Sequence, residues 1–221
     1  MQKTGSKNHH IRQVLNYLIN IQLLLMKIGV FSDVHGHLNE LKITLNLLKS
    51  LEVDRLVCGG DLVDKGNFSD AVVDIMREEA IPCVQGNHDK KAQFTWLSHA
   101  EPLKDDTIQY LTDLPISLTY EWEGKSVYVC HANPWDDASY YVYPTAPEFL
   151  FQEVRKTCSA DVVIMGHTHH PMRVTYQNLL MINPGSIYGN RDRAERTCGV
   201  LTLPDCTFTI FDIETGRSLT F

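Results

Sequence analysis

Lys27-Ile-Gly-Val-Phe-Ser-Asp-Val-His35 joins a short apolar run, IGVFS at 28–32, directly to an acid and an imidazole. The run is too short for a helix and rich in Val, Ile and Phe, which predicts a strand buried on both faces. The same arrangement recurs along the chain. DRLVC at 54–58 runs into Gly59-Gly60-Asp61, and PCVQ at 82–85 into Gly86-Asn87-His88-Asp89. VYVC at 127–130 runs into His131, and DVVIM at 161–165 into Gly166-His167-Thr168-His169.

Helical patterns lie between several of these runs. Leu38, Leu41, Leu45 and Leu48 recur at spacings of three and four, one face of a helix over 38–51. Ser69 reads as the N-cap of a helix over 69–80, and Thr145-Ala-Pro-Glu148 as a capping box opening a helix over 146–157. A shorter helix is expected over 106–113. After 171 the chain becomes strand-like (RVTYQ, LLMIN, GVLTL, FTIFDI), with turns at Asn183-Pro-Gly and Pro204-Asp. Alternation followed by a strand-rich tail implies an α/β fold with a substantial second sheet. In such folds ligands gather beyond the C-terminal ends of strands, where all five polar motifs fall. One Gly-Asp or one His at a strand end is explained as a turn or a cap; five at the same topological place are not.

The 221 residues, 43% of them hydrophobic, suffice for one domain over 26–221, and no linker or repeat divides it. A formal charge of -7 argues against a broad nucleic-acid footprint. Six cysteines include no C-x-x-C pair, and three lie in apolar runs, which suggests buried thiols in a reducing, cytoplasmic setting. Residues 1–25 form an N-terminal extension. It is too short and too polar to span a bilayer and has no small-residue cleavage site, so secretion and a membrane span are set aside. Either it is an appended helix, or Met26 is the natural start.

Carboxylate, imidazole and amide oxygen together suit borderline divalent metals such as Mn, Fe, Zn, Co or Ni rather than Ca or Mg alone. A carboxylate can bridge two ions ~3.5–4 Å apart, and such a pair clamps the attacking and leaving oxygens of an in-line displacement. If Asp33 and Asp61 supply the only carboxylates, two divalent ions keep a formal charge of about +2, enough to hold a phosphate and acidify a bound water.

DVH at 33–35, GGD at 59–61, GNHD at 86–89, His131 and GHTH at 166–169, in this order, resemble the calcineurin-like metallophosphoesterase superfamily over roughly residues 27–215. Within it the chain resembles small prokaryotic phosphoesterases related to diadenosine-tetraphosphatase and to the Ser/Thr protein phosphatases. The resemblance implies a four-layer α-β-β-α sandwich of two mixed sheets. It also implies one ion held by Asp33, His35, Asp61 and His169, and a second by Asp61, Asn87, His131 and His167, with Asp61 bridging. His88 would act on the leaving oxygen as acid or hydrogen-bond donor, oriented by Asp64. Lys65 stands where the protein phosphatases carry a phosphate-binding Arg. Ala132-Asn133 departs from the Gly-Ser common in the small members, which bears on substrate rather than on the ligand His131.

Around these motifs, Lys65, Arg191 and His170 are candidate substrate contacts. Trp135, Tyr140, Tyr141 and Tyr143 either wall a pocket for a base or aryl group or pack on the sheet. The function implied is hydrolysis of a small phosphomonoester, phosphodiester or dinucleotide by metal-bound hydroxide, without nucleic-acid or membrane partners. Two alternatives are a nuclease of the same fold and a non-catalytic protein-binding scaffold.

Overall fold

The computed structural model describes residues 25–92, 102–135, 139–191 and 193–220. Residues 1–24 of the expected extension lie outside the described residues. In chain order the elements are β1 (Met26–Phe31), α1 (Leu38–Ser50), β2 (Arg55–Cys58), α2 (Ser69–Glu78), α3 (Asn87–Lys91), α4 (Asp105–Asp113), β3 (Ser117–Trp122) and β4 (Lys125–Cys130). They continue with α5 (Glu148–Thr157), β5 (Val162–Ile164), β6 (Met172–Tyr176), β7 (Leu179–Asn183), β8 (Thr197–Leu203), β9 (Thr207–Asp212) and β10 (Ser218–Leu219).

The strands make two five-stranded sheets, ordered β10-β9-β8-β1-β2 and β3-β4-β5-β7-β6. Both are mixed: β1–β2, β4–β5 and β5–β7 pair in parallel, and the other pairs are antiparallel. The period of two along each strand then divides the apolar residues among three cores. Ile28, Val30, Val127, Val129, Val162, Ile164, Leu180, Ile182, Leu201 and Leu203 meet between the sheets. Phe31, Cys198 and Val200 turn outward to Leu41 and Leu48 of α1, Val72 and Met76 of α2 and Leu111 of α4. Cys130, Val163, Met165, Leu179 and Met181 turn the other way, to Phe151 and Val154 of α5. Helices, sheet, sheet and helix are therefore the four layers expected.

Three local expectations change, and one strand is new. PCVQ at 82–85 is not a strand but touches β2 through a single bridge, Cys58 to Cys83. Pro82 has no N–H to donate, and the Gln85 N–H goes to the Pro115 carbonyl instead of a ladder. Ser69 is the first helical residue rather than the cap, with Phe68 at the cap position. Its Oγ lies against the backbone turn at Gly36. The helix expected from 146 begins at Glu148, because Pro147, at ψ 143°, is extended. Glu148 accepts from the Tyr176 hydroxyl at 3.3 Å rather than closing a box with Thr145. Finally, β3 lacked a sequence expectation. It pairs with β4 through Glu123-Gly124, both at positive φ, the two-residue turn whose twist suits a hairpin.

No helix among the described residues is long and apolar enough to cross a membrane. Cys58, Cys83, Cys130, Cys158 and Cys198 are free and buried, and Cys206 is free and partly exposed.

Candidate metal centre

The parallel strands β1, β2, β4 and β5 end together, and the polar motifs follow them at one edge of the sandwich. The loops after β1 and β2 are zipped by backbone bonds: the N–H groups of Asp33, Val34, His35 and Gly36 donate to carbonyls of Gly60, Asp61, Asp61 and Leu62 at 2.8–2.9 Å. Such tight loops need unusual backbone. Asp33, His35, Asp61, His167 and His169, five of the seven expected metal ligands, lie at positive φ between 50° and 67°. Backbone strain of this kind, concentrated in non-glycine residues, is characteristic of functional sites.

Three groups of side chains converge there: Asp33 with His35 and His169, His35 with Asp61 and His88, and Asp61 with His131 and His167. In each group the ligand atoms lie within 4.8 Å of one another. Asp61 stands between the outer groups, its Oδ2 3.7 Å from His35 Nε2 and 3.3 Å from His131 Nε2. The structure thus brings all seven expected ligands into one site, Asn87 included, whose Oδ1 is 3.2 Å from His131 Nε2.

The surrounding hydrogen bonds fit a divalent ion. His35, His131 and His169 each turn Nδ1 to a backbone carbonyl, of Val63, Gly59 and Gly189, at 3.2, 2.6 and 3.1 Å. That contact engages Nδ1 and turns Nε2 toward the centre. The Nε2 atoms of His35 and His169 then face each other at 3.2 Å. Nε2 of His131 faces two oxygens, Asp61 Oδ2 at 3.3 Å and Asn87 Oδ1 at 3.2 Å. Each carboxylate also turns one oxygen inward. Asp61 Oδ1 accepts from the His88 N–H at 2.8 Å, leaving Oδ2 inward. Asp33 Oδ2 accepts from the His167 N–H at 3.1 Å, leaving the buried Oδ1 without a hydrogen-bond donor. Ligand nitrogens and carboxylate oxygens gathered this closely in a buried space are stabilised by positive charge among them.

The charges agree. Burial raises the Asp33 and Asp61 carboxyls, but the facing imidazoles, His169 and His131 respectively, outweigh it and hold both below the usual carboxylate range. Burial pushes His35 down to about 4. His131, although burial opposes it, is pushed up to about 10 by the Asp61 carboxylate at its Nε2. The site therefore demands positive charge at its centre, which either a proton or a metal ion can supply.

Asp89, a neighbour of the ligands in sequence, serves as a brace. It is fully buried and accepts from the N–H groups of Asp61, Leu62, Val63 and Gly86 at 2.7–3.3 Å, tying the loop after β2 to the start of α3. Asn183 does the same for the last loop, donating to the Gly166 carbonyl at 2.6 Å and to Thr168 Oγ1 at 3.1 Å. Ser186 Oγ donates to the Asp33 carbonyl at 2.9 Å, so Asn183-Pro-Gly-Ser186 supports two motifs at once.

Outside the ligands, Asp64 Oδ2 lies 2.6 Å from His88 Nδ1. Lys65 Nζ lies 3.2 Å from His35 Nε2. His170, half-buried, turns Nδ1 to the Thr168 carbonyl and meets Tyr143 edge-on at 4.9 Å. Arg191 is exposed and stands over the Tyr141 ring, 5.6 Å from its centroid. Of the expected aromatic cluster, Tyr141 reaches the site, 4.2 Å from the His167 ring, whereas Trp135 packs into the α5-side core. Tyr188 had no sequence expectation. It contacts the rings of His37, His35 and His169 at 4.4, 5.4 and 6.2 Å. Its only local signal was its place just after the supporting turn. A cavity of about 860 Å³ lies at the opposite ends of the strands, lined by Leu45, Leu56, Ile75, Tyr120 and Trp122, and none of the metal motifs reaches it.

A sequence profile of the calcineurin-like phosphoesterase superfamily domain matches residues 26–205. The chain belongs to that superfamily. Among its relatives is an uncharacterised protein of Methanocaldococcus jannaschii, 27% identical over 75% of this chain and 72% of that one. A phosphodiesterase of the same organism is 24% identical over 74% of this chain and 86% of its own length. A metallophosphoesterase from Sphaerobacter thermophilus superposes with a TM-score of 0.68 at 22% identity, covering 89% of each chain. Vps29 from Entamoeba histolytica superposes with a TM-score of 0.57 at 18% identity, covering 88% of this chain and 96% of that one.

Proposed function

We propose that this chain is a dinuclear-metal phosphoesterase acting on a small phosphorylated substrate. The observation that carries the reading is the convergence of Asp33, His35, Asp61, His131, His167 and His169, with Asn87 beside His131, on one buried site in which Asp33 Oδ1 has no hydrogen-bond donor. Asp33, His35, Asp61 and His169 would hold one ion, and Asp61, Asn87, His131 and His167 the other. Bound there, two divalent ions would neutralise phosphate charge and lower the pKa of a water.

The chain's own residues supply the rest. The positive-φ loops hold their ligands where strand ends meet, so little reorganisation is needed at the moment of reaction. His88, its Nδ1 engaged by Asp64, turns Nε2 to the site and can give a proton to the leaving oxygen. A scaffold role like that of a protein acting through its surfaces would not require this pair.

The test is hydrolysis of a chromogenic phosphomonoester and a phosphodiester by protein stripped of metal and then given Mn, with Asp61→Asn as control. Metal-dependent turnover lost in the variant supports the reading. Turnover of neither ester, with both ions bound, removes it in favour of a scaffold.

A further inference from the structure

The cavity of about 860 Å³ at the end of the sandwich away from the metal motifs takes no part in the metal centre. It opens where both sheets stop, β2 being the edge strand of one and β3 of the other. Its floor is Leu45, Val53, Leu56, Ile75, Tyr120 and Trp122, each only half-buried, and the last two rings stack at 4.1 Å. Apolar side chains left together in water mark a surface that a partner covers. A cavity of this size takes a few side chains rather than a domain. Glu78 and Glu79 line it from the end of α2, and Lys42 and Lys49 from α1, all four exposed. The lysine stems can lie along an apolar partner with their charges in water.

The chain itself supplies an occupant. Strand β1 starts at this end, and Asp54, which lines the cavity, holds it: the Lys27 N–H donates to Asp54 Oδ2 at 2.8 Å and the Asp54 N–H to the Lys27 carbonyl at 2.8 Å. The residues before β1 therefore join the fold beside the cavity wall. In that segment Ile11, Val14, Leu18, Ile21 and Leu25 recur at spacings of three and four, one apolar stripe, with Arg12, Asn16 and Asn20 on the other side. Residues 1–25 include Lys3, Lys7 and Arg12 but none of the 27 acidic residues, so a cationic segment is tied to an acidic body. We propose that residues 11–24 seat this apolar stripe in the cavity of their own chain as a helix, with Arg12 turned to Glu78 and Glu79. A tether this short gives an effective concentration on the order of 1 mM, so a Kd of about 0.1 mM keeps the segment seated about ten to one. A second copy or a separate protein has no such advantage.

The test is amide hydrogen exchange, read by mass spectrometry, on the full chain and on its Leu18→Asp/Ile21→Asp and Leu45→Asp variants. The amides of residues 11–24 should exchange about tenfold more slowly in the wild type than in either variant. The segment variant should also speed exchange in peptides over residues 45–56 and 117–122, while peptides over β6 and β7, at the far edge of the other sheet, stay as they are. The two segment substitutions lie before β1 and remove no contact of the three cores, so they test the docking even if Leu45→Asp loosens α1. Light scattering over a dilution series identifies the occupant. A monomer whose segment stays protected on dilution supports docking within one chain. Protection that falls on dilution as a dimer separates gives the cavity to a second copy and overturns the proposal. A wild-type segment that exchanges as fast as in the variants overturns it as well, and leaves the cavity to a different partner.

Discussion

The Asp64 carboxylate and the His88 imidazole meet at 2.6 Å across 24 residues of sequence, both largely shielded from water. Asp64 also accepts from the Lys65 N–H at 2.8 Å and sits at φ 75°, so the acid is locked before it touches the ring. Asp64 is a positioning residue, and its effect should pass through His88. His88→Ala should lower kcat by about 10²–10⁴-fold with metal content unchanged. Asp64→Asn should lower it less, and the double variant should be no slower than His88→Ala alone. Steady-state kinetics on the three variants decides this; additive losses would mean that Asp64 acts elsewhere.

Asp61 is placed between the two ligand groups, whereas Asp33 belongs to one. Elemental analysis of the purified proteins should therefore find about two ions per wild-type chain, about one in Asp33→Asn, and fewer than one in Asp61→Asn. A wild-type plateau at one ion with full activity would remove the dinuclear reading.

Metal binding should release protons. In the metal-free protein His131 is held up to about 10 by Asp61, so at neutral pH it carries a proton that an incoming ion must displace. Because this folded-state pKa is raised, apparent affinity should rise with pH through the neutral range and level off above about 10. Mn titrations in buffers of different ionisation enthalpy should give heats that differ by the protons released. Heats independent of buffer would show that His131 is already neutral.

Asp89→Asn should destabilise the fold by about 1–3 kcal/mol, read from urea denaturation. The four N–H donors around Asp89 then face an amide that offers one acceptor oxygen and one competing NH₂ group. Because Asp61 and Gly86 are both held by this carboxylate, metal affinity should weaken in the same variant. Wild-type stability would show that water replaces the brace.

The candidate site was legible in the sequence to the extent that it is local. Apolar runs ending in Asp, Asn or His marked all seven side chains, and four of the five runs are strands that end at the site. The helix over Leu38–Ser50 followed from periodicity in the same way. PCVQ misled because apolar content does not say whether a neighbour offers a ladder, and Pro82 could not complete one. Thr145–Glu148 misled because Glu148 found a partner in Tyr176, 28 residues away.

The sequence by itself determined which residues are candidates for chemistry and that most of them follow strands. Tertiary structure alone decided which of them face one another. Asp33 meets His167, and His35 meets His169, across 134 residues, because β1 lies in one sheet and β5 in the other and the two end at the same edge. Period-two alternation states that a strand has two faces, but not which sheet covers each. The placing of Tyr188 against His35 and of Tyr141 against His167 follows from that packing, since ring contacts depend on loop paths that no local pattern encodes.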